Sequence, residues 1–553
     1  MLASLLKEIR WLLLAAALAS AVSGACSVVL IAQIGATLSA GTTNASDALR
    51  FACIVLTLML AGTSAGVLFE RLRQRTNVEL RRSIVERVVS APYQTLERIG
   101  GASIQSALSE HTANVTQFFV SLPVLLSNAV VVIGCLFYLA MLSPQVFLAA
   151  LVVIVLGSLG YHFAHLRAID FLRRGSKEQD RLFAHFRSLT EGAKELQLNR
   201  RKCDVFRQEV IGQSLEALRR ERTIGMTIFI VASHWGNFLI YAFIGLVIFV
   251  LAGDAPGRTQ VMTGFALVLI YMVSPLQSLL LAIPNTNLAR VAMDRIEDLM
   301  RQIGSPEVSP VGAEPARLYS LALVGVTHRY YHEQSDEFFQ LGPVDLTLAA
   351  SEIVFLVGGN GSGKTTLAKL LVGLYAPVTG RIVFNGANVD DASRSAYRQN
   401  FSAIFSDFHL FDRLLDADDR DLDRKANRLL EKLHLQHKVR VRQGAFSTQA
   451  LSQGQRKRLA LVVAYLENRP ILVFDEWAAD QDPAFKEVFY REFLPELRAA
   501  GKTVLVISHD DRYFHLADRL VRMDNGQVVS IDFPALISSS SRRGRTEEPA
   551  ALR

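Results

Sequence analysis

Three short runs carry the residue types that phosphate chemistry needs. The first is Gly358-Gly359-Asn360-Gly361-Ser362-Gly363-Lys364-Thr365, which matches G-x-x-x-x-G-K-[ST]. Glycines in such a loop let successive backbone N–H groups turn inward on phosphate oxygens. A helix that starts at the loop adds its partial positive charge. The apolar run Ile353–Val357 reads as the strand that delivers the loop, and Thr366–Leu374 reads as the helix that leaves it. Gly358, Asn360, Gly361, Gly363, Lys364, Thr365 and Thr366 are therefore the candidates for holding ATP. Lys364 should reach the β- and γ-phosphates, and Thr365 should hold Mg²⁺. The second run is Ile471-Leu472-Val473-Phe474-Asp475-Glu476, a buried strand with two carboxylates at its exit. Asp475 would join the Mg²⁺ sphere, and Glu476 would polarise the attacking water as general base. The third is Leu451-Ser452-Gln453-Gly454-Gln455, where a hydroxyl, a glycine N–H and a helix N-terminus offer donors to a γ-phosphate.

In this order the three runs resemble the ABC transporter family, the third being its LSGGQ signature with Gln453 in place of the first of two glycines. In that family the signature of one nucleotide domain closes over ATP held by the P-loop of another. The resemblance therefore implies that Ser452, Gly454 and Gln455 bind ATP across such a seam. His509, in Ser508-His509-Asp510 after the apolar run Thr503–Ile507, matches the family's switch histidine, which contacts the γ-phosphate and the catalytic water. Asp482 resembles the D-loop aspartate that crosses between the two domains. Val326-Thr327-His328-Arg329-Tyr330-Tyr331 resembles the segment whose aromatic ring stacks on adenine; spacing favours Tyr330, and Tyr331 is the rival. Ser406, in Ile404–Phe411, stands where the family carries a Q-loop glutamine. Its hydroxyl can still ligate Mg²⁺ directly or through water, but it is shorter.

These runs need a scaffold. From about Leu318 short β-rich runs alternate with helical segments, as in an α/β domain with a largely parallel sheet. The first half is of another kind. Residues 11–46, 51–69, 112–166, 223–253 and 259–289 carry no Asp, Glu, Lys or Arg. A helix needs about 20 apolar residues to cross a bilayer core. The run 112–166 is long enough for two helices, with a turn at Ser143-Pro144. Six spans are expected, at Trp11–Gln33, Phe51–Phe69, Gln117–Leu142, Pro144–His165, Thr227–Leu251 and Val261–Ile283. The apolar run at the N-terminus continues past Cys26, too far for a signal-peptide core.

The 553 residues are 50% hydrophobic and 20% charged, which excludes a disordered chain. The four cysteines, at 26, 53, 135 and 203, show no metal or redox spacing. Net charge is +7, yet it sits beside the uncharged runs rather than on a nucleic-acid face. Segment Glu70–Glu110 holds seven arginines and Arg167–Arg222 holds fourteen Lys or Arg, whereas the opposite loops hold only Arg50 and Arg258. Basic loops stay cytoplasmic, so both termini should lie inside. Val78, Ile84, Val85, Val88 and Val89 show helical apolar spacing, as if the membrane helices ran on into the cytoplasm. No full charge lies inside a span, which argues against an ion-coupled carrier.

The expected architecture is multidomain. An all-α six-helix transmembrane domain (1–293) and a linker (294–317) precede an α/β P-loop nucleotide-binding domain (318–533) and a disordered tail (534–553). The family resemblance implies an exporter in the bacterial inner membrane, working by alternating access as a homodimer. Short helices near Glu97–Ile104 and Glu191–Arg200 would carry closure to the spans. Thr190–Asn199 and Phe401–Phe411 further resemble the bacterial cyclic-peptide exporter family. That implies a cyclic peptide, lipopeptide or peptide siderophore as cargo, with Asn128, His234, Trp235, Asn237, Tyr241, Tyr271 and Gln277 as candidate contacts. Lipid or multidrug export is the alternative, and an ATP-dependent sensor that transports nothing is a further one.

Overall fold

The computed structural model describes residues 2–40, 44–246, 258–304, 314–332, 337–415 and 421–534, with Phe249 and Glu307 besides. The chain divides into two compact units, one of residues 1–84 and 104–299, the other of 85–103 and 300–553.

The first unit is helical. Its long helices are α1 (Leu2–Ala40), α2 (Ala45–Val89), α5 (Thr112–Leu142), α6 (Pro144–Glu191), α9 (Gly212–Leu246) and α10 (Arg258–Ile303). Short helices α3 (Tyr93–Ile99), which belongs to the second unit, and α4 (Gly101–Ser106) follow α2, and α7 (Ala193–Leu198) and α8 (Arg200–Val205) follow α6. Among the described residues five helices are long and apolar enough to cross a membrane. α10 adds a shorter apolar stretch, Phe265–Leu280, at the expected sixth span. Large side chains such as Leu56, Phe137 and Phe163 point outward. An outward apolar face of this kind suits lipid. α5 ends at Leu142, Ser143 is extended, and Pro144 opens α6, because proline lacks the N–H that a continuing helix would need.

The part of α2 beyond its apolar run is helical, as the spacing implied, and Ile84 is the residue of that set that is buried. Leu72, Thr76, Leu80 and Ile84 face inward, four residues apart, while Val78, Val85 and Val89 are exposed. A helix turns about 100° per residue, so a row at i, i+4 keeps one face. α10 also runs through the first part of the expected linker, with Ile296, Leu299 and Ile303 buried. Most of the C-terminal tail lies outside the described residues.

The second unit carries two sheets. β1 (Ser320–His332), β2 (Glu337–Ala349), β4 (Thr379–Phe384) and β5 (Ala387–Asn388) form an antiparallel sheet in the order β2-β1-β4-β5. β3 (Ile353–Gly358), β6 (Phe401–Ile404), β9 (Ile471–Asp475), β10 (Thr503–Ile507), β11 (Arg519–Asp524) and β12 (Gln527–Asp532) form a sheet in the order β12-β11-β3-β10-β9-β6. β7 (Val441–Arg442) and β8 (Ala445–Phe446) make a small hairpin. β9 and β10 are buried along their whole length, as strands of a parallel sheet covered on both faces must be. Ile507 pairs with Leu356 on one side and Asp475 on the other. That register brings the carboxyl ends of β3, β9 and β10 to one edge, where open α/β sheets bind ligands.

Candidate nucleotide site

The P-loop grows from β3. Gly363 has φ +94°, a left-handed backbone that glycine adopts freely, and it caps the helix Lys364–Leu371. That helix begins two residues earlier than the sequence pattern placed it, so Lys364, Thr365 and Thr366 all lie in its first turn. Ser362 is buried, and its hydroxyl is without a hydrogen-bond partner among the described residues. A buried, unpaired hydroxyl at a helix N-terminus fits an anionic oxygen. Nothing in the sequence set Ser362 apart, because the motif leaves that position open. Lys364 is nearly buried, and its Nζ donates to the carbonyls of Gly358 (3.0 Å) and Gly359 (2.8 Å). Burial lowers its pKa, with Glu476 and Asp475 pulling the other way. Gly358, Asn360 and Gly361 complete the loop, Asn360 and Gly361 being exposed.

Thr365 Oγ1 donates to Asp475 Oδ2 at 2.9 Å. Asp475 is 1% exposed at the end of β9, and burial raises its pKa against the hydrogen bond from Thr365. The main chain of Ser406 also lies beside Asp475 and helps to hold its pKa down, which brings Ser406 next to the pair. These are hard oxygen donors, few in number, as a magnesium site completed by phosphate and water requires. Thr365, Asp475 and Ser406 are the residues that would hold that ion.

Glu476 has φ +50°, a left-handed conformation unusual for a residue with a side chain. Its Oε1 lies 3.0 Å from His509 Nε2, both groups being partly exposed. His509 leaves β10 one residue after Ser508, whose Oγ bonds Tyr490 at 2.8 Å. The structure thus brings Lys364, Thr365, Asp475, Ser406, Glu476 and His509 to one sheet edge.

The signature residues are held elsewhere in the unit. Ser452 caps the helix Gln453–Leu466 in a reciprocal box with Gln455, its Oγ accepting from the Gln455 N–H. The cap leaves its own O–H free to donate outward. Gly454 O accepts from Gln481 at 3.0 Å, and Arg458 pairs with Asp482 at 2.5 Å. Asp482 also caps the helix Pro483–Val488, and that backbone bond lowers its pKa. Tyr330 and Tyr331 lie in β1, opposite Phe339 and Phe338, and their side chains fall outside the described residues.

Within the helical unit Gln277 and Asn237 hydrogen-bond to each other, so both amides serve helix packing. The neighbouring cavity of about 30 Å³, lined by Gly157, Tyr161 and Leu276 among others, holds no more than a water. Trp235, Tyr241 and Tyr271 are exposed.

Two family models match the chain: ABC transporter over residues 341–479 and ABC transporter transmembrane region over 11–198. The chain is 33% identical over 532 residues to the ATP-binding protein SyrD of Pseudomonas syringae pv. syringae, covering 94% of each. It is 25% identical over 502 residues to an ATP-dependent lipid A-core flippase of Cupriavidus pinatubonensis, covering 85% of this chain and 81% of that one. A probable syringafactin export ATP-binding/permease protein of Pseudomonas syringae is 30% identical over 231 residues, 38% of this chain and 34% of its own. Among solved structures, a bacterial Atm1-family ABC exporter with ATP bound superposes with TM-score 0.74 at 15% identity, covering 99% of this chain and 100% of that one.

Proposed function

Since the chain belongs to the ABC transporter family, as an ATP-driven half-exporter with a multi-pass membrane region fused to its ATPase domain, we propose that it exports a peptide natural product across the bacterial inner membrane. The cargo is a cyclic peptide, lipopeptide or peptide siderophore. The observation that carries the peptide reading is Thr190–Asn199 together with the Q-loop stretch Phe401–Phe411, where serine stands in the glutamine's place. A syringafactin-export relative and spans without full charges support it.

Two copies of the chain make the working unit, because each carries one P-loop and one signature. ATP lies between Lys364 of one copy and Ser452 of the other, with Gly358, Asn360, Gly361, Gly363, Thr365 and Thr366 around its phosphates and Tyr330 against adenine. Lys364 and the loop N–H groups balance the phosphate charge. Magnesium, when bound at Thr365, Asp475 and Ser406, would neutralise the β- and γ-phosphate oxygens. Glu476 accepts the proton of the attacking water, and His509, at 3.0 Å, orients that carboxylate. ATP drives the cycle only through its higher affinity for the closed pair.

The test is transport. Inverted vesicles holding the protein should accumulate a peptide cargo with ATP, and Glu476→Gln should stop both accumulation and phosphate release while ATP still binds. Accumulation of lipid or of unrelated drugs instead, with peptides excluded, would move the assignment to the alternative cargo class. The gene's deletion should remove one peptide compound from culture medium.

A further inference from the structure

We propose that Lys457 is a positioning residue for hydrolysis: its buried ammonium fixes the backbone of Glu476 and ties it to the signature helix. The inference rests on the reading of Glu476 as general base.

Lys457 lies in the second turn of the helix Gln453–Leu466 and is 3% exposed. Its Nζ donates to the backbone carbonyl of Glu476 at 2.9 Å and pairs with Asp480 Oδ2 at 2.7 Å. A buried ammonium carries a large desolvation penalty, which only close partners offset. Backbone packing alone would be served by a neutral donor, so the charge needs a reason. Glu476 supplies one. Its left-handed conformation persists only if the surroundings over-determine it. Its N–H donates to Ile507 O at 3.1 Å, its carbonyl accepts from Lys457, and its carboxylate meets His509. With the carbonyl clamped, the direction of the carboxylate is set.

The clamp belongs to a wider lacing. Gln453 Nε2 donates to Asp480 Oδ2 at 3.2 Å, the same oxygen that Lys457 holds. Trp477 Nε1 donates to the Lys457 carbonyl at 2.7 Å. Arg458 Nε donates to Gln481 Oε1 at 2.8 Å. A Cβ at Gly454 would stand 2.8 Å from Asp480 O, so only glycine lets the two segments approach this closely. Segment Glu476–Asp482 is thus stitched to the first turns of the signature helix. In the proposed dimer that helix serves the partner's nucleotide, while Glu476 serves its own. Lys457 therefore joins the catalytic carboxylate of one site to the phosphate donors of the other.

The experiment measures steady-state hydrolysis by the full chain in liposomes, with Mg²⁺ and ATP. Lys457→Met should lower kcat about tenfold, the worth of about one hydrogen bond at a strained backbone. KM for ATP should stay within about twofold, since no nucleotide contact is lost. The melting temperature should fall by only a few degrees, because the partner left behind, Asp480, is 41% exposed and can be rehydrated. Lys457→Gln, which keeps a donor for the Glu476 carbonyl, should recover part of kcat. Unchanged kcat in Lys457→Met, beside a dead Glu476→Gln, overturns the inference alone. A Glu476→Gln chain that still turns over overturns the general-base reading beneath it. Equal loss in the Met and Gln variants with a much larger fall in melting shows a structural role and also overturns the inference. Should Lys457→Met not fold, Asp480→Asn decides: removing the counter-charge from this exposed side chain should lower kcat at unchanged KM, and no change overturns the inference.

Discussion

Asp475 is the residue whose environment most directly states its task. Burial raises its pKa, so its ionised form is disfavoured in the folded chain until a cation answers it. The sign follows for stability. A carboxyl with a raised folded pKa contributes stability that is present below its ordinary pKa and is lost as the pH rises through the folded value. Asp475→Asn removes that loss. Thermal unfolding without nucleotide should then show a higher melting temperature at neutral pH, converging with the parent as the pH falls. The same variant should lose Mg²⁺-dependent hydrolysis by about a hundredfold or more, as removal of a metal-holding carboxylate does. Stabilisation together with inactivation separates a working charge from a structural one.

At the scale of elements, α3 packs inside the same compact unit as the nucleotide domain. Glu97 accepts from Lys369 Nζ at 2.9 Å and from the Tyr375 hydroxyl at 2.5 Å, and Tyr375 stacks on Tyr93 and His328. Burial pulls Lys369 down in pKa, and the hydrogen bond to Glu97 together with the charge interactions with Tyr375, Glu97 and Tyr93 more than reverses it, leaving the amine raised and charged. Its stabilising effect is therefore complete at neutral pH and lost only in strong alkali. Tyr375→Phe should cut the stimulation of ATPase by cargo several-fold while leaving unstimulated turnover near its parent rate, and the ratio of the two rates measures it. The loss of one hydrogen bond to a charged group is of the order of 1.5–3 kcal/mol, enough to loosen the helix without unfolding the domain. Sequence reading located α3 only as a short helix near Glu97–Ile104, because its partners lie in a distant part of the chain. The Asp475-Glu476 pair was legible because a four-residue apolar run has one exit. Lys457 was not, since its meaning lies 19 residues away in a carbonyl that carries no sequence signal. Nor was the inward face of α2, because periodicity shows that a helix has faces but not which one meets a neighbour. Five of the six expected apolar runs fall on helices long and apolar enough to cross a membrane, and the sixth on the shorter stretch Phe265–Leu280.

For the whole molecule, an ATP site shared between two copies makes a prediction that no single chain can satisfy. Lys364→Ala disables a P-loop, and Ser452→Ala disables a signature. Each variant alone should hydrolyse ATP at a small fraction of the parent rate. Mixed before reconstitution, about half of the dimers become hybrids, each with one site defective twice and one site intact. Activity should reappear on mixing, to about a quarter of the parent if the sites fire independently. A mixture as inactive as its components would argue against the shared site.

The junction of α5 and α6 sets a limit on how such a machine can move. One residue, Ser143, separates Leu142 from Pro144. Two peptide links keep those helix ends within about 7 Å of one another. Levers hinged so tightly can splay at their far ends but never part at the near one. Any mouth on that face must be cut between other helices, and a protease added there would find no strap to sever.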